Sequence, residues 1–436
     1  MTRLARRETF LLAAAALLPS VAGCGGGSSP PRRKKGEQIT LTFWSWVPGV
    51  DKSVDLWNER NPDVQIKLSN ITSGRLGGYA KMKAALKAGD PPDLAQVEYQ
   101  EIPSFLIEQG LEELTVHGAA EHRNKFVGWQ WEQGVFSDGV YAIPQASGPM
   151  ATFYRADLFD QWGLEPPETW EDFEKAAAEI RGRDAYISTF PPANSAWFTG
   201  MAWQAGARWF GAEDDKWTVD IDNAETRKVA DYWHRLVSED LVKTEPDVAN
   251  AWYKDLQTGG IVAWVGPQWG DALLRGNAPD TAGSWRVAPM PQWEDAETFS
   301  SANWGGSSTA LFKGGDYPQD ALDFAIWLNT DPESVDLLIE GGYGWPAVAD
   351  ALEGSALDRE DPFFGDQRYN EVFAEADAAI DTGWRWTPTT ASLYEHLNNG
   401  FQTAVEGRGT FADAVADAQT KVIDDLEAKG LPVKAG

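Results

Sequence analysis

The chain carries 22 tryptophans, all after position 43. An indole is the largest flat platform a protein can offer. It suits a ligand with a C–H face and a hydroxyl rim, provided a few fixed hydrogen-bonding groups stand beside it. Most of these rings must nonetheless be core: Trp57, Trp233 and Trp327 sit at helical spacing among apolar neighbours. Position singles out others. Trp44, Ser45, Trp46, Tyr99, Gln100, Trp269 and Trp304 fall at or just beyond the ends of segments that read as strands, where open α/β sheets bind ligands. No Arg or Lys cluster accompanies them, which favours a neutral ligand over a phosphorylated one.

Covalent and metal chemistry find little support. Four histidines (His117, His122, His234, His396) are scattered, and no HExxH, GxSxG or P-loop string occurs. The run from Gly342 to Ala347 nearly matches a dinucleotide-binding loop, but the segment before it reads as helix rather than strand. Asp220-Ile221-Asp222-Asn223 lacks the rest of a calcium loop and reads as a helix cap ahead of Glu225. The single cysteine, Cys24, excludes an intrachain disulfide, a Cys-rich zinc site and an iron–sulfur cluster. No catalytic residue, metal ligand or cofactor is therefore assigned. The rival is a glycoside hydrolase, since among 66 acidic residues a pair of carboxylates can always be nominated. Against those acids stand 37 basic residues, a net charge of −29 that repels phosphate backbones and argues against nucleic acid as a partner.

The elements that must position these groups alternate between strand and helix. Residues 39–46 alternate and are rich in β-branched and aromatic types, as a strand should be. A helix over 51–61 stops at Pro62, and 64–68 is a second strand. Next come a helix over 79–88 closed by Gly89, a strand over 93–97 and a helix over 102–109. This order predicts an open parallel sheet. Residues 142–154 form a long extended stretch broken by Gly148-Pro149, Thr169 caps a helix with Asp172 answering it, and 225–237 is an amphipathic helix. Strands are predicted at 260–265, 286–290 and 309–312, helices at 320–328 and after Asp331-Pro332, and a strand-free helical segment from 393 to 429.

The first residues read as an address. A basic stretch (Arg3, Arg6, Arg7), a 13-residue apolar run over 10–22 and a small-residue end make 1–23 a signal peptide. The apolar run is too short for a membrane span, which needs about 20 residues. Val21-Ala22-Gly23-Cys24 resembles the lipobox of bacterial lipoproteins, in which the cysteine is lipidated. Arg6-Arg7 followed by Phe10 resembles a twin-arginine signal one residue out of register, so the export route stays open. Residues 24–37 form a Gly/Ser/Pro tether with four consecutive basic residues, Arg32 to Lys35, that could rest on anionic headgroups.

Several runs taken in order, FWSW (43–46), KAGDPPDLAQVEYQEIPSF (87–105), DGVYAIPQASGPMATFYRADLF (138–159), PPETWEDF (166–173), GPQW (266–269), NWGGSSTALF (303–312) and PFFGDQRYNEVFAEA (362–376), resemble the extracellular solute-binding proteins of ATP-driven sugar importers, the family that includes maltose-binding protein. The resemblance implies a two-lobed α/β periplasmic-binding-protein-like fold with a ligand cleft, a hinge and a helical C-terminal segment. Lobe 1 would be 38–147 plus 289–331, and lobe 2 would be 148–288 plus 332–436. It implies ligand contacts at Trp44, Ser45, Trp46, Tyr99, Gln100, Gln268, Trp269, Trp304 and Gly305, with Tyr343, Trp345, Trp384 and Trp386 as further candidates. It also implies a carbohydrate ligand, the transmembrane subunits of an ABC permease as partners, attachment to the outer face of the cytoplasmic membrane through a lipid, and a monomer. A polyol or other non-sugar solute is the alternative ligand.

Overall fold

The computed structural model describes residues 33 to 434 apart from 35 and 355. The signal segment and Cys24 lie outside the described residues. Among those described, no helix is long and apolar enough to cross a membrane. The end of the predicted tether is fastened down rather than free: Arg33 pairs with Asp320 at 3.1 Å, and Tyr317 donates to Glu37 at 2.9 Å.

Two sheets organise the chain. In the first lobe, strands Ile39–Ser45, Val64–Asn70, Leu94–Glu98, Ala142–Ser147, Ser307–Leu311 and Trp345–Pro346 build a six-stranded sheet. Ile39–Ser45 lies parallel to both of its neighbours. The sheet is not wholly parallel as expected, because Ser307–Leu311 runs antiparallel to the strands on either side of it. That strand arrives from the other lobe rather than through a local helical crossover, so nothing obliges it to run parallel. Alternating burial along Ile39–Ser45 puts Leu41 and Phe43 into a core shared with Trp57 and Phe324.

The second lobe holds an antiparallel sheet in which Met150–Arg155 lies between Ala263–Pro267 and Trp285–Ala288. Helices surround it. Thr169 caps Trp170–Arg181, and Asn223, as expected, caps Ala224–Ser238 through its side chain. Helices Thr390–Val405 and Phe411–Ala428 pack as an antiparallel pair against the second lobe. Aromatic rings fill its core: Trp197 meets Trp233 edge-on at 4.8 Å, and Trp203 stacks on Trp384 at 4.8 Å.

The chain passes between lobes at Gly148-Pro149, where the predicted extended stretch divides into its two strands. The other two boundaries differ from expectation. Residues 289–303 stay with the second lobe, where Gln292 pairs with Thr169 and Trp293 packs on Trp170, so the return begins near Trp304. Helix Pro332–Gly341, capped by Asp331, belongs to the first lobe: it packs on Val50–Arg60, and Trp345 then pairs with Ser147. A capped amphipathic helix carries no local mark of the sheet it will cover.

Candidate functional site

The structure brings the lobes together around Tyr99. Its ring stands 6.5 Å from that of Trp129, its hydroxyl donates to Gln130 Oε1 at 3.3 Å, and its backbone N–H donates to the carbonyl of Gly306 at 3.2 Å. Trp129 and Gln130 share the short helix Gly128–Glu132 of the first lobe. A Cβ on Gly306, whose φ is +94°, would come within 2.8 Å of the Tyr99 ring, so only glycine lets this backbone pass so close. From the second lobe, helix Asn370–Ala378 supplies Asp377. Burial pushes its carboxyl up to about 6, and the indole N–H groups of Trp345 and Trp129, both on the first lobe, restrain that rise.

Around this meeting point further buried polar atoms have no hydrogen-bond partner: Gln100 Oε1, Gln130 Nε2, Gln145 Nε2, Ser147 Oγ and Gln268 Oε1. Each buried polar atom left unmatched costs roughly 1–3 kcal/mol. Single unmatched indoles also occur in the second lobe's core, at Trp233, Trp252 and Trp384. What marks this site is a mixture of donors and acceptors supplied by both lobes beside flat rings. Such a set suits a ligand bearing several hydroxyls, each of which both donates and accepts.

The lobes also touch on one side of this cluster. Arg75 of the first lobe donates to the carbonyl of Ala193 in the second at 3.4 Å, and residues Tyr99–Glu101 pack against helix Thr390–Val405. Tyr394 of that helix faces Glu98 and Glu101 electrostatically. Burial raises Glu101 to about 7, with Lys83 opposing the rise and the neighbouring Glu98 and Glu108 adding to it. Asp247, buried and accepting from Asn194 at 2.6 Å, is raised to about 6 by the same cause.

The sequence-predicted residues divide into four groups. Tyr99, Gln100, Gln268 and Trp345 lie in the cluster. Trp269, Trp304 and Gly305 form the joint between lobes: Trp269 Nε1 donates to the Trp304 carbonyl at 2.9 Å, and Asn303 joins Gly305 to Gly148 through its side-chain amide. Tyr343 is 8% exposed and belongs to the first lobe's core.

The rest sit apart from the cluster. The Ser45 hydroxyl is engaged in the turn, donating to Gln96 at 3.0 Å and accepting from the Val47 N–H at 3.1 Å. Trp44, beneath Lys81, and Trp46, edge-on to Tyr79, flank the first strand's end, and the Tyr79 hydroxyl links this corner to Glu98 at 2.7 Å. Trp384 packs within the second lobe, its ring stacked on that of Trp203 at 4.8 Å. Trp386 lies at the edge of that stack and lines an open groove. Sequence reasoning missed Trp129, Gln130 and Asp377. The tryptophan pair in the WQWE run was the available signal for the first two.

The chain matches the bacterial extracellular solute-binding protein family over residues 44–334 and belongs to that family. It is 27% identical over 301 residues to an arabinooligosaccharide-binding protein of Halalkalibacterium halodurans, the match spanning 66% of each chain. It is 22% identical to a lactose-binding protein of Rhizobium radiobacter over 77% of this chain and 81% of that one. Among solved structures, it resembles the ABC-transporter-associated binding protein of B. animalis subsp. lactis in complex with β-1,6-galactobiose, with a TM-score of 0.82, 26% identity, and coverage of 92% of this chain and all of that one. The galacto-N-biose/lacto-N-biose-binding protein of Bifidobacterium longum gives the same TM-score at 25% identity, with the same coverage.

Proposed function

We propose that this chain is the substrate-binding component of an ABC importer and captures a neutral carbohydrate between its lobes for delivery to a membrane permease. The observation that carries the reading is the cluster of unmatched buried donors and acceptors contributed by both lobes beside the rings of Tyr99, Trp129 and Trp345. Relatives named for lactose and arabinooligosaccharide support the ligand class. A ligand that completes such a set only when both lobes are present favours the closed arrangement, because it shifts an equilibrium by its difference in affinity for the two states. The protein binds without cleaving. It is held on the outer face of the cytoplasmic membrane through a lipid on Cys24, and it works as a monomer.

The test is a panel of mono- and oligosaccharides, polyols and amino acids read by intrinsic fluorescence. Stacking of a sugar near Trp129 and Trp345 shifts the emission. A response confined to amino acids or polyols would replace the ligand class, and release of free sugar on prolonged incubation would restore the hydrolase.

A further inference from the structure

Resting on the carbohydrate reading, we infer that Glu98 is a positioning residue: it fixes which end of the Gln100 side-chain amide faces the ligand, so that this corner of the site accepts a hydroxyl proton and does not offer one. The two ends of an amide have nearly the same shape, and their hydrogen-bonding partners decide which way it lies. Glu98 closes strand Leu94–Glu98, and Gln100 stands two residues on, in the single turn Tyr99–Glu101. The Gln100 amide donates to the Glu98 carboxylate. An ionised carboxylate only accepts, so it takes the NH2 end. Oε1 is the end left over, and it is the one that lies buried without a partner where the lobes meet.

The carboxylate is itself held from behind. Tyr79, on helix Gly78–Ala88, donates its hydroxyl to Glu98 Oε2 at 2.7 Å and accepts the Glu98 backbone N–H at 3.0 Å. Burial pushes the Tyr79 phenol well above its ordinary 10, so it keeps its proton and serves the carboxylate as a donor. Burial also raises Glu98, and the hydrogen bonds from Tyr79 and Gln100 and the charge of Arg75 oppose that rise. All three favour the ionised, accepting form. The Tyr79 ring stands edge-on to Phe105 at 6.0 Å and to Trp46 at 5.8 Å. A Cβ on Gly74 would lie 2.1 Å from that ring, so only glycine lets the turn Gly74–Leu76 close over it. On its other side the Glu98 backbone is paired with Ser307 in the sheet. Held in this way, the carboxylate orients its neighbour before any ligand arrives, and little is lost in ordering the pair on binding. An acceptor fixed in advance discriminates against a ligand that brings a second acceptor to the same point.

The experiment has one arm free of any sugar. In the full chain labelled isotopically at its glutamine amides, NMR identifies the Gln100 NH2 signals as the pair lost in Gln100→Met. Glu98→Gln keeps an oxygen for Tyr79 and turns an NH2 towards Gln100, which should reverse the Gln100 amide and move that pair. Signals that stay in place overturn the orienting role, whether or not a sugar binds. The second arm titrates lactose, or the sugar that the fluorescence panel selects, and its singly deoxygenated and singly fluorinated forms by calorimetry. At one hydroxyl the fluorinated form, which accepts but cannot donate, should bind the wild type about tenfold or more weaker than the parent sugar, and weaker than the deoxygenated form. In Glu98→Gln the order of the two analogues should invert. A uniform loss with the order unchanged overturns the proposal. Should Glu98→Gln not fold, Tyr79→Phe, which frees the carboxylate without removing it, is expected to narrow the gap between the two analogues, and an unchanged gap overturns the proposal. Absence of binding to every sugar overturns the carbohydrate reading alone, and the amide signals then decide the role of Glu98.

Discussion

The indole N–H of Trp269, at the end of a strand in the second lobe, reaches the carbonyl of Trp304 on the return to the first at 2.9 Å, with the two rings edge-on 5.1 Å apart. Gly148 passes beneath this pair and accepts the backbone N–H of Trp304 at 2.9 Å. These two rings brace the connection between lobes.

This bracing gives the joint its own phenotype. A Cβ on Gly148 would lie 2.2 Å from the Trp304 carbonyl oxygen and 2.8 Å from Trp269 Nε1. Relieving such an overlap costs about 1–3 kcal/mol. Gly148→Ala should hold the lobes apart and weaken sugar binding roughly 5- to 150-fold with little loss of thermal stability. Solution scattering should show that saturating sugar reduces the radius of gyration of the wild type but not of the variant. An unchanged response would detach Gly148 from closure.

Asp377→Ala should weaken binding by about 1.5–3 kcal/mol, the usual worth of a hydrogen bond to a charged group, while the melting temperature holds or rises as a buried carboxyl is removed. Trp384→Ala should do the opposite, costing about 3–5 kcal/mol of stability without altering affinity in the folded fraction. Calorimetry paired with thermal melts separates the two, and an exchange of these outcomes would exchange the roles.

Closure should be favoured by acid. Glu101, Asp247 and Asp377 are raised by burial to about 7, 6 and 6 from ordinary values of 4.5, 3.8 and 3.8, so the closed form holds protons that rehydrated groups release. Whichever state binds more protons loses ground as pH rises. The ligand-free radius of gyration should therefore grow between about pH 4 and 7 and then level off. Glu101→Gln should remove the upper part of that rise. A flat profile in the wild type would show that these groups stay buried when the lobes part.

Cys24→Ala should release the protein from membranes. A single lipid chain gives only marginal attachment, so partial retention would point to the neighbouring basic residues. Fractionation of cells expressing each form reads the result, and full retention of the variant removes the anchor.

Local chemistry was legible in the sequence, and long-range placement was not. The β-branched alternation of residues 39–45, the caps at Thr169 and Asp331 and the break at Gly148-Pro149 are short-range steric and hydrogen-bonding facts, and the fold uses each of them. The direction of Ser307–Leu311 and the lobe that receives Pro332–Gly341 depend on partners far along the chain. Tyr99, Gln100 and Trp345 stood out because they follow strands or turn signals. Asp377 did not, being one acid among many on an amphipathic helix, and only its position opposite Trp129 and Trp345 distinguishes it.

The connections at Gly148, near Trp304 and beyond Trp345 have a mechanical corollary. Relative motion through a single flexible link could be in any direction. Anchored side by side at one edge of two stiff bodies, three links resist sliding and twisting and leave one soft rotation. Whatever sits between the lobes is then reported outward as a single angle. A receptor on the membrane needs to read only that angle, and it can do so without touching the cargo.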